Sequence, residues 1–226
     1  MRGSGCLLYD RIIGIRRLQQ EWIMSKPAFS RAEPDARRQS LIEATARVLA
    51  RDGATGASVR AIALEAGVSP GLVGHYFAGI DGLVAETYAA VGQQVHVALA
   101  AAVAAAGDDP RARVVAYVTA SFAPPIADRA LFATWIAFWS LSAKPIIAAR
   151  HDALYQSYRD DLEALLAACG LPAADRRLAA IAITALVDGL WLELCLSPGN
   201  FTPGEARVLA ERQLESYFDR SAKSRR

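Results

Sequence analysis

Cysteine, histidine and methionine are scarce in this chain: three, three and two residues among 226. The cysteines, Cys6, Cys169 and Cys195, are odd in number and far apart, which argues against a disulfide framework or a zinc site and fits a reduced cytosolic interior. The histidines, His75, His96 and His151, have no metal-ligand spacing, and no nucleophile-elbow or phosphate-loop pattern occurs. Enzyme, metal and cofactor chemistry therefore find no foothold. An excess of one charge is missing too. Of 25 basic and 23 acidic side chains, 11 and 9 precede His96, leaving 14 and 14 behind it. Any surface for nucleic acid must come from the placement of a few cations, not from a polybasic tract.

Long uncharged apolar runs are also absent. None approaches the roughly 18 residues of a membrane span, and the Ala-rich stretch 95–107 reads as a buried or half-buried helix. The stretch "LLYDRIIGIRRLQQEWI" near the front carries Asp10, Arg11, Arg16 and Arg17 where a signal peptide needs an apolar core, so it is not one. Its Leu8, Ile12, Ile15, Leu18 and Trp22 share one helical face. Two readings stand: a basic amphipathic arm for membrane, DNA or a partner, or an upstream extension with Met24 as the natural start and residues 1–23 dispensable. Residues 1–34 are expected to be an extension, disordered or partly helical.

No alternating strand pattern and no internal repeat is found; the class is all-α. Pro34 suits a first helical turn, Asp35 favours its dipole, and Leu41, Ile42, Thr45, Val48 and Leu49 form a buried stripe up to a stop at Gly53. Ser58 caps a second, short helix, and Ser69 a third with Pro70 at its first position. A long fourth helix starts near Asp81, with Leu83, Val84, Tyr88, Val91, Val95 and Leu99 along one side. Further helices are expected over 111–122, 129–141, 146–169, 173–196 and 203–220, punctuated by proline and glycine.

The segment "AIALEAGVSPGLVGHYF" places a strong stop between two short helices. A three-residue turn built on Gly67 is helix-turn-helix geometry, because the turn needs a left-handed residue that costs a side-chain-bearing residue roughly 1 kcal/mol. The second of the two helices could enter a major groove. An ordinary αα-corner without a ligand is the plain alternative.

The flanking residues "RRQSLIEATARVLARDGATGASVRAIALEAGVSPGLVGHYFAGIDGL" resemble the N-terminal domain of TetR-type transcriptional repressors. The points of likeness include a first helix ending on Asp-Gly, the Ser58-Val59-Arg60-x-Ile62-Ala63 helix, Ala66-Gly67-Val68-Ser69, and His75-Tyr76-Phe77. The resemblance implies a DNA-binding domain over 35–95, a helix-turn-helix over 58–77, and dimerisation through the last two helices on a palindromic double-stranded operator. By position, Arg60 would reach a guanine edge. Ser69, Pro70, Gly71, Leu72 and Gly74 would form the groove-facing start and side of the recognition helix, Leu72 meeting a thymine methyl. His75 and Tyr76 would donate to phosphates, while Val73 and Phe77 read as core. Ile80 stands where many relatives carry a lysine, and Gly74 where a side chain is common.

Aromatic residues gather in the C-terminal part, and Phe132, Trp135 and Trp139 share a helical face. Trp135 and Trp139, with Phe138, Tyr155, Tyr158 and Trp191, could form a cage for a quaternary ammonium group, with Asp188 as its carboxylate; equally, the aromatic residues could be plain core. The segments "FWSLSAKPIIAARHDALYQSYRDDLEALL" and "ALVDGLWLELCLSPGNFTPGEA" resemble the C-terminal domain of BetI-type repressors. That resemblance implies a ligand-binding and dimerisation domain over 96–220, followed by a basic tail at 221–226, and a cytoplasmic regulator of glycine betaine synthesis responding to choline. Ala179, Ala180, Ala182, Ala185, Leu186, Leu190, Leu209 and Leu214 would supply the dimer seam. A TetR-type repressor of a different catabolic or efflux operon, with another inducer, is the neighbouring reading. A helical lipid-binding or interaction bundle is the reading outside gene regulation, and it leaves the helix-turn-helix unexplained.

Overall fold

A computed structural model describes residues 34–224, with side chains described as far as Asp219. The amphipathic front stretch, Met24 and the side chains of the basic tail lie outside the described residues. Every regular element among those described is helical: α1 (Pro34–Gly56), α2 (Val59–Ala66), α3 (Gly71–Tyr76), α4 (Gly79–Ala105), α5 (Pro110–Thr119), a single 3-10 turn (Ala120–Phe122), α6 (Arg129–Ser140), α7 (Pro145–Ala168), α8 (Ala173–Leu196) and α9 (Pro203–Ser224). Apart from the first turn of α1, all belong to the unit Arg38–Arg226.

Local chemistry accounts for most boundaries. Ser58 Oγ accepts from the Ala61 N–H at 3.1 Å, Asp109 caps α5 ahead of Pro110, and Asp128 Oδ1 accepts from both Ala130 and Leu131 at 2.9 Å. Thr202 and Glu205 satisfy each other's backbone N–H groups in a capping box that opens α9. At Gly53 the backbone leaves the helical region (φ 66°, ψ −173°), and one further turn follows before Ser58.

Two expectations need correction. Ser69 does not cap α3: Pro70 occupies the cap position without a side-chain bond, and the Ser69 carbonyl, not its hydroxyl, accepts from Leu72 N–H at 3.1 Å. The helix expected over 111–122 ends at Thr119 and tightens into the 3-10 turn, which leaves the Ser121 carbonyl free for the Trp191 indole at 3.0 Å. Helices α4 and α8 hold no uncharged apolar run of roughly 18 residues, yet by length and composition they are apolar enough to cross a membrane. Alanine-rich segments with at most two charges pass that test without being strongly hydrophobic, and here both helices carry core residues.

Two apolar cores are built on this frame. The first joins Leu41, Ile42, Ala44 and Val48 of α1 to Ile62 of α2, Val73 of α3, Phe77 and Leu83. The second starts at Leu49 and Val84 and runs through α4–α9. Helix α4 serves both. It crosses α7 closely at Gly92, where an added β-carbon would overlap the Leu154 side chain, and the Gly92 carbonyl accepts from the Tyr158 hydroxyl at 2.9 Å.

The outer face of α8 stays apolar and uncovered. Leu178 (65% exposed), Ile181, Ala182, Ala185, Leu192 and Leu196 (68%) fall along it, beside Val208 and Leu209 of α9. Ala179, Ala180, Leu190 and Leu214, which the sequence suggests for a dimer seam, are instead buried inside the chain.

The turn at Gly67 gives a direct check. Its φ of 67° is left-handed, and an added β-carbon would touch nothing within 4 Å. Gly67→Ala therefore isolates backbone strain. It should lower stability by about 1 kcal/mol with no change in helix content, measured by chemical denaturation followed by circular dichroism.

Candidate nucleic-acid interface and ligand cavity

Helices α2 and α3 meet across Gly67. The Gly67 and Val68 N–H groups close the end of α2 on the carbonyls of Leu64 and Ala63, at 3.1 and 2.9 Å. Ile62, Ala63, Val73 and Phe77 turn inward and are buried. This leaves Arg60, Ser69, Pro70, Gly71, Gly74 and His75 exposed, with Leu72 and Tyr76 half-buried beside them. All eight residues named from the sequence thus reach the solvent, six of them fully exposed and two half-buried.

Charge on this surface is sparse for a structural reason. Arg47 and Arg51 are tied to Glu65 at 2.7 and 2.8 Å, fastening α1 to α2, and the two guanidinium groups hold the Glu65 carboxyl below the usual carboxylate range. Arg38 packs over the Phe77 ring and pairs with Glu86 at 3.0 Å. Arg60 has no acidic partner among the described residues and is the free cation of α2. At Gly71 and Gly74 an added β-carbon would meet nothing within 4 Å, so internal packing does not demand a glycine at either position.

The second site is a cavity inside the C-terminal bundle, with about 60 Å³ of accessible space. A single water needs at least roughly 10–15 Å³ of such space, so the cavity has room for more than one water-sized group. Its wall includes Trp135, Tyr155, Tyr158, Asp188 and Trp191, five of the seven residues expected from the sequence. The other two do not line it. Phe138 turns to α4, stacking on Tyr88 with ring centroids 4.3 Å apart, and Trp139 stands behind Tyr155. The polar residues Tyr117, Ser121 and Thr184 also line the cavity and were missed, and the rest of the wall is aliphatic, including Val95, Leu99 and Leu162. Thr184 precedes Asp188 by one helical turn, so that spacing could have found it.

Polar groups converge on one phenol. Tyr155 donates to Asp188 Oδ1 at 3.0 Å and accepts from the indole N–H groups of Trp135 and Trp139, both at 3.1 Å. Its ring stacks on His151 at 4.0 Å, and His151 Nδ1 lies 2.9 Å from the Tyr88 hydroxyl. Burial lowers the His151 pKa and raises that of Tyr88, which makes the neutral imidazole the acceptor. Burial also pushes Asp188 up to about 7, only partly offset by the Tyr155 bond and by Arg159. Among the described residues no group of His, Cys, Asp and Glu is placed to hold a metal ion.

The sign of the Asp188 shift makes a prediction. An unfolded aspartate ionises near 3.8, so between there and about 7 the folded chain holds the extra proton, and Asp188 makes stability fall as pH rises through that interval. Asp188→Asn removes the term. Denaturant melts should find the variant gaining on the parent between pH 5 and pH 8; a constant difference would mean Asp188 titrates normally.

Comparison with known proteins adds two matches along the chain. Residues 41–87 match the model of the tetR family of bacterial regulatory proteins, and residues 110–219 that of the BetI-type transcriptional repressor C-terminal region. The HTH-type transcriptional regulator BetI of Burkholderia thailandensis is 37% identical over 177 residues, covering 78% of this chain and 90% of that protein. A BetI regulator of Chromohalobacter salexigens is 36% identical over 188 residues, 80% and 88% of the two chains. Among solved structures, a transcriptional regulator from Pseudomonas aeruginosa shares 40% identity with a TM-score of 0.77, covering 88% of this chain and 98% of its own. A regulator from Saccharomonospora viridis, solved in complex with choline, shares the fold at 21% identity and a TM-score of 0.68, covering 80% and 96%.

Proposed function

The chain belongs to the TetR family of bacterial transcriptional regulators, with a BetI-type C-terminal region, and from that premise we propose that it binds a palindromic operator as a homodimer and releases it when a small quaternary ammonium compound such as choline fills the cavity. It is a DNA-binding regulator and not an enzyme. The observation that carries the ligand reading is Asp188, a half-buried carboxylic acid that lines the same cavity as Trp135, Tyr155 and Trp191. A quaternary ammonium cannot donate hydrogen bonds, so ring faces and one carboxylate are its natural partners. Cation–π contacts of roughly 0.5–2 kcal/mol per ring give micromolar-to-millimolar affinity. Trp139 and Phe138, being outside the wall, would act only by supporting Tyr155 and Tyr88.

On DNA, Arg60 would read a guanine through its two-pronged donor, and Leu72 would meet a thymine methyl. Tyr76, His75 and Ser69 would bond phosphates, while Pro70, Gly71 and Gly74 would let the backbone approach closely. Two recognition helices on one palindrome require a symmetric dimer. The uncovered face of α8, from Leu178 to Leu196, is the surface suited to pairing, its Ala182 and Ala185 permitting close helix approach. Cytoplasmic work follows from an operator on the chromosome.

A gel shift with DNA from upstream of its own gene, combined with tryptophan fluorescence under choline titration, tests the proposal. The parent should retain the DNA and release it as choline quenches or enhances the indoles. Arg60→Ala should cost about 1–3 kcal/mol on the operator and little on unrelated DNA. Choline should bind more tightly at pH 8 than at pH 6, because the cation needs the ionised Asp188. Retention that no small quaternary amine relieves would remove the ligand reading, and equal losses on all DNA would make Arg60 a phosphate contact.

A further inference from the structure

On the outside of the bundle, α4, α5 and α7 enclose a second, larger space of about 450 Å³ that plays no part in the function above. It exists because small side chains stand where bulky ones would fill the crossing: Ala100 and Ala104 on α4 and Ala164 on α7. Leu165 and Val103 extend the apolar floor. One wall carries Arg113, half-buried and without an acidic partner among the described residues. The cleft's own carboxylate, Asp161, is already engaged by His96, whose Nδ1 lies 3.3 Å from Asp161 Oδ2. The cleft therefore offers a guanidinium with no ion pair of its own among the described residues, set beside apolar surface.

We propose that this cleft binds a small aliphatic monocarboxylate, its carboxylate on Arg113 and its chain along Ala100, Ala104 and Ala164. The planar guanidinium fork matches a carboxylate through two parallel hydrogen bonds. The alanine floor selects against a bare inorganic anion, which would leave that surface wetted, and in favour of an anion that carries a hydrocarbon chain. Tyr117 forms a wall of both this cleft and the inner cavity, and its hydroxyl donates to the Tyr158 carbonyl at 3.2 Å. A ligand in the cleft thus presses on a residue that also shapes the cavity, while occupying separate space.

Isothermal titration of the full-length protein with hexanoate, and with hexan-1-ol as the uncharged control, tests the site. Hexanoate should bind saturably, and hexanol at least about ten-fold more weakly, since it lacks the charge that Arg113 recognises. Arg113→Met, which keeps the apolar stem, should weaken hexanoate at least about ten-fold, and Ala164→Trp should abolish it by filling the cleft. Thermal melts verify that both variants fold, and Ala104→Trp on the opposite wall replaces Ala164→Trp if that variant does not. No saturable binding by the parent overturns the proposal. So does hexanol binding as tightly as hexanoate, or hexanoate binding undiminished in Arg113→Met and in the cleft-filled variant, which would place it elsewhere.

Discussion

Helix α4 is packed twice, and the rest of the molecule is arranged around that double commitment. Its first turns close the N-terminal core, where Leu83 lies with Phe77 and Val73 beneath the recognition helix. Its middle holds Tyr88, buried against Phe138 and Trp135, and its later turns supply Val95 and Leu99 to the cavity wall. An uninterrupted helix of 27 residues has no hinge at which these two jobs could be separated. A displacement at the cavity must therefore be absorbed by bending α4, by moving it bodily, or by shifting α7.

Side-chain contacts make the third option continuous with the first two. Tyr155 reaches Asp188 inside the cavity and stacks on His151 outside it, and His151 holds Tyr88 on α4. One residue before His151, Arg150 approaches Glu86 at 3.4 Å, and Glu86 also pairs with Arg38, whose guanidinium lies over Phe77 at the end of α3. The exposed ion pairs in this chain are each worth little alone. The buried aromatic contacts carry the stiffness, and the pairs fix which turn of α7 faces which turn of α4. Burial disfavours the charge of Asp188, so a cation held beside it would favour its ionisation.

Much of this was legible in the sequence wherever local chemistry decides the outcome. Ser58, Gly67 and the inward Val73 and Phe77 all sit as spacing and capping rules require, because a cap or a left-handed turn involves neighbours within four residues. Ser69 was misread for the same local reason. Proline at the next position already carries helical dihedrals (φ −57°, ψ −28°), so the serine carbonyl, not its hydroxyl, meets the first free N–H. Errors at the cavity have another origin. Periodicity groups Phe132, Trp135 and Trp139 on one face of α6, yet it does not say which face meets α8 and which meets α4. Only Trp135 among them reaches the cavity, while Tyr117 arrives from α5, which the aromatic pattern does not mark, and Thr184 from α8, two turns before Trp191. The residues expected to form a dimer seam show the same gap, since small residues at helical spacing (Ala179 and Ala180 against Ala182 and Ala185) divide between buried and exposed faces of one helix.

The central claim is that cavity and recognition helix share one equilibrium through α4. Linkage makes that claim measurable without knowing the path: choline affinity should be determined by calorimetry on the free protein and again on the operator-saturated protein. The account predicts weaker choline binding in the presence of operator, by the same factor by which choline weakens operator binding. Equal choline affinity in the two states would contradict it, whatever the affinity itself proved to be.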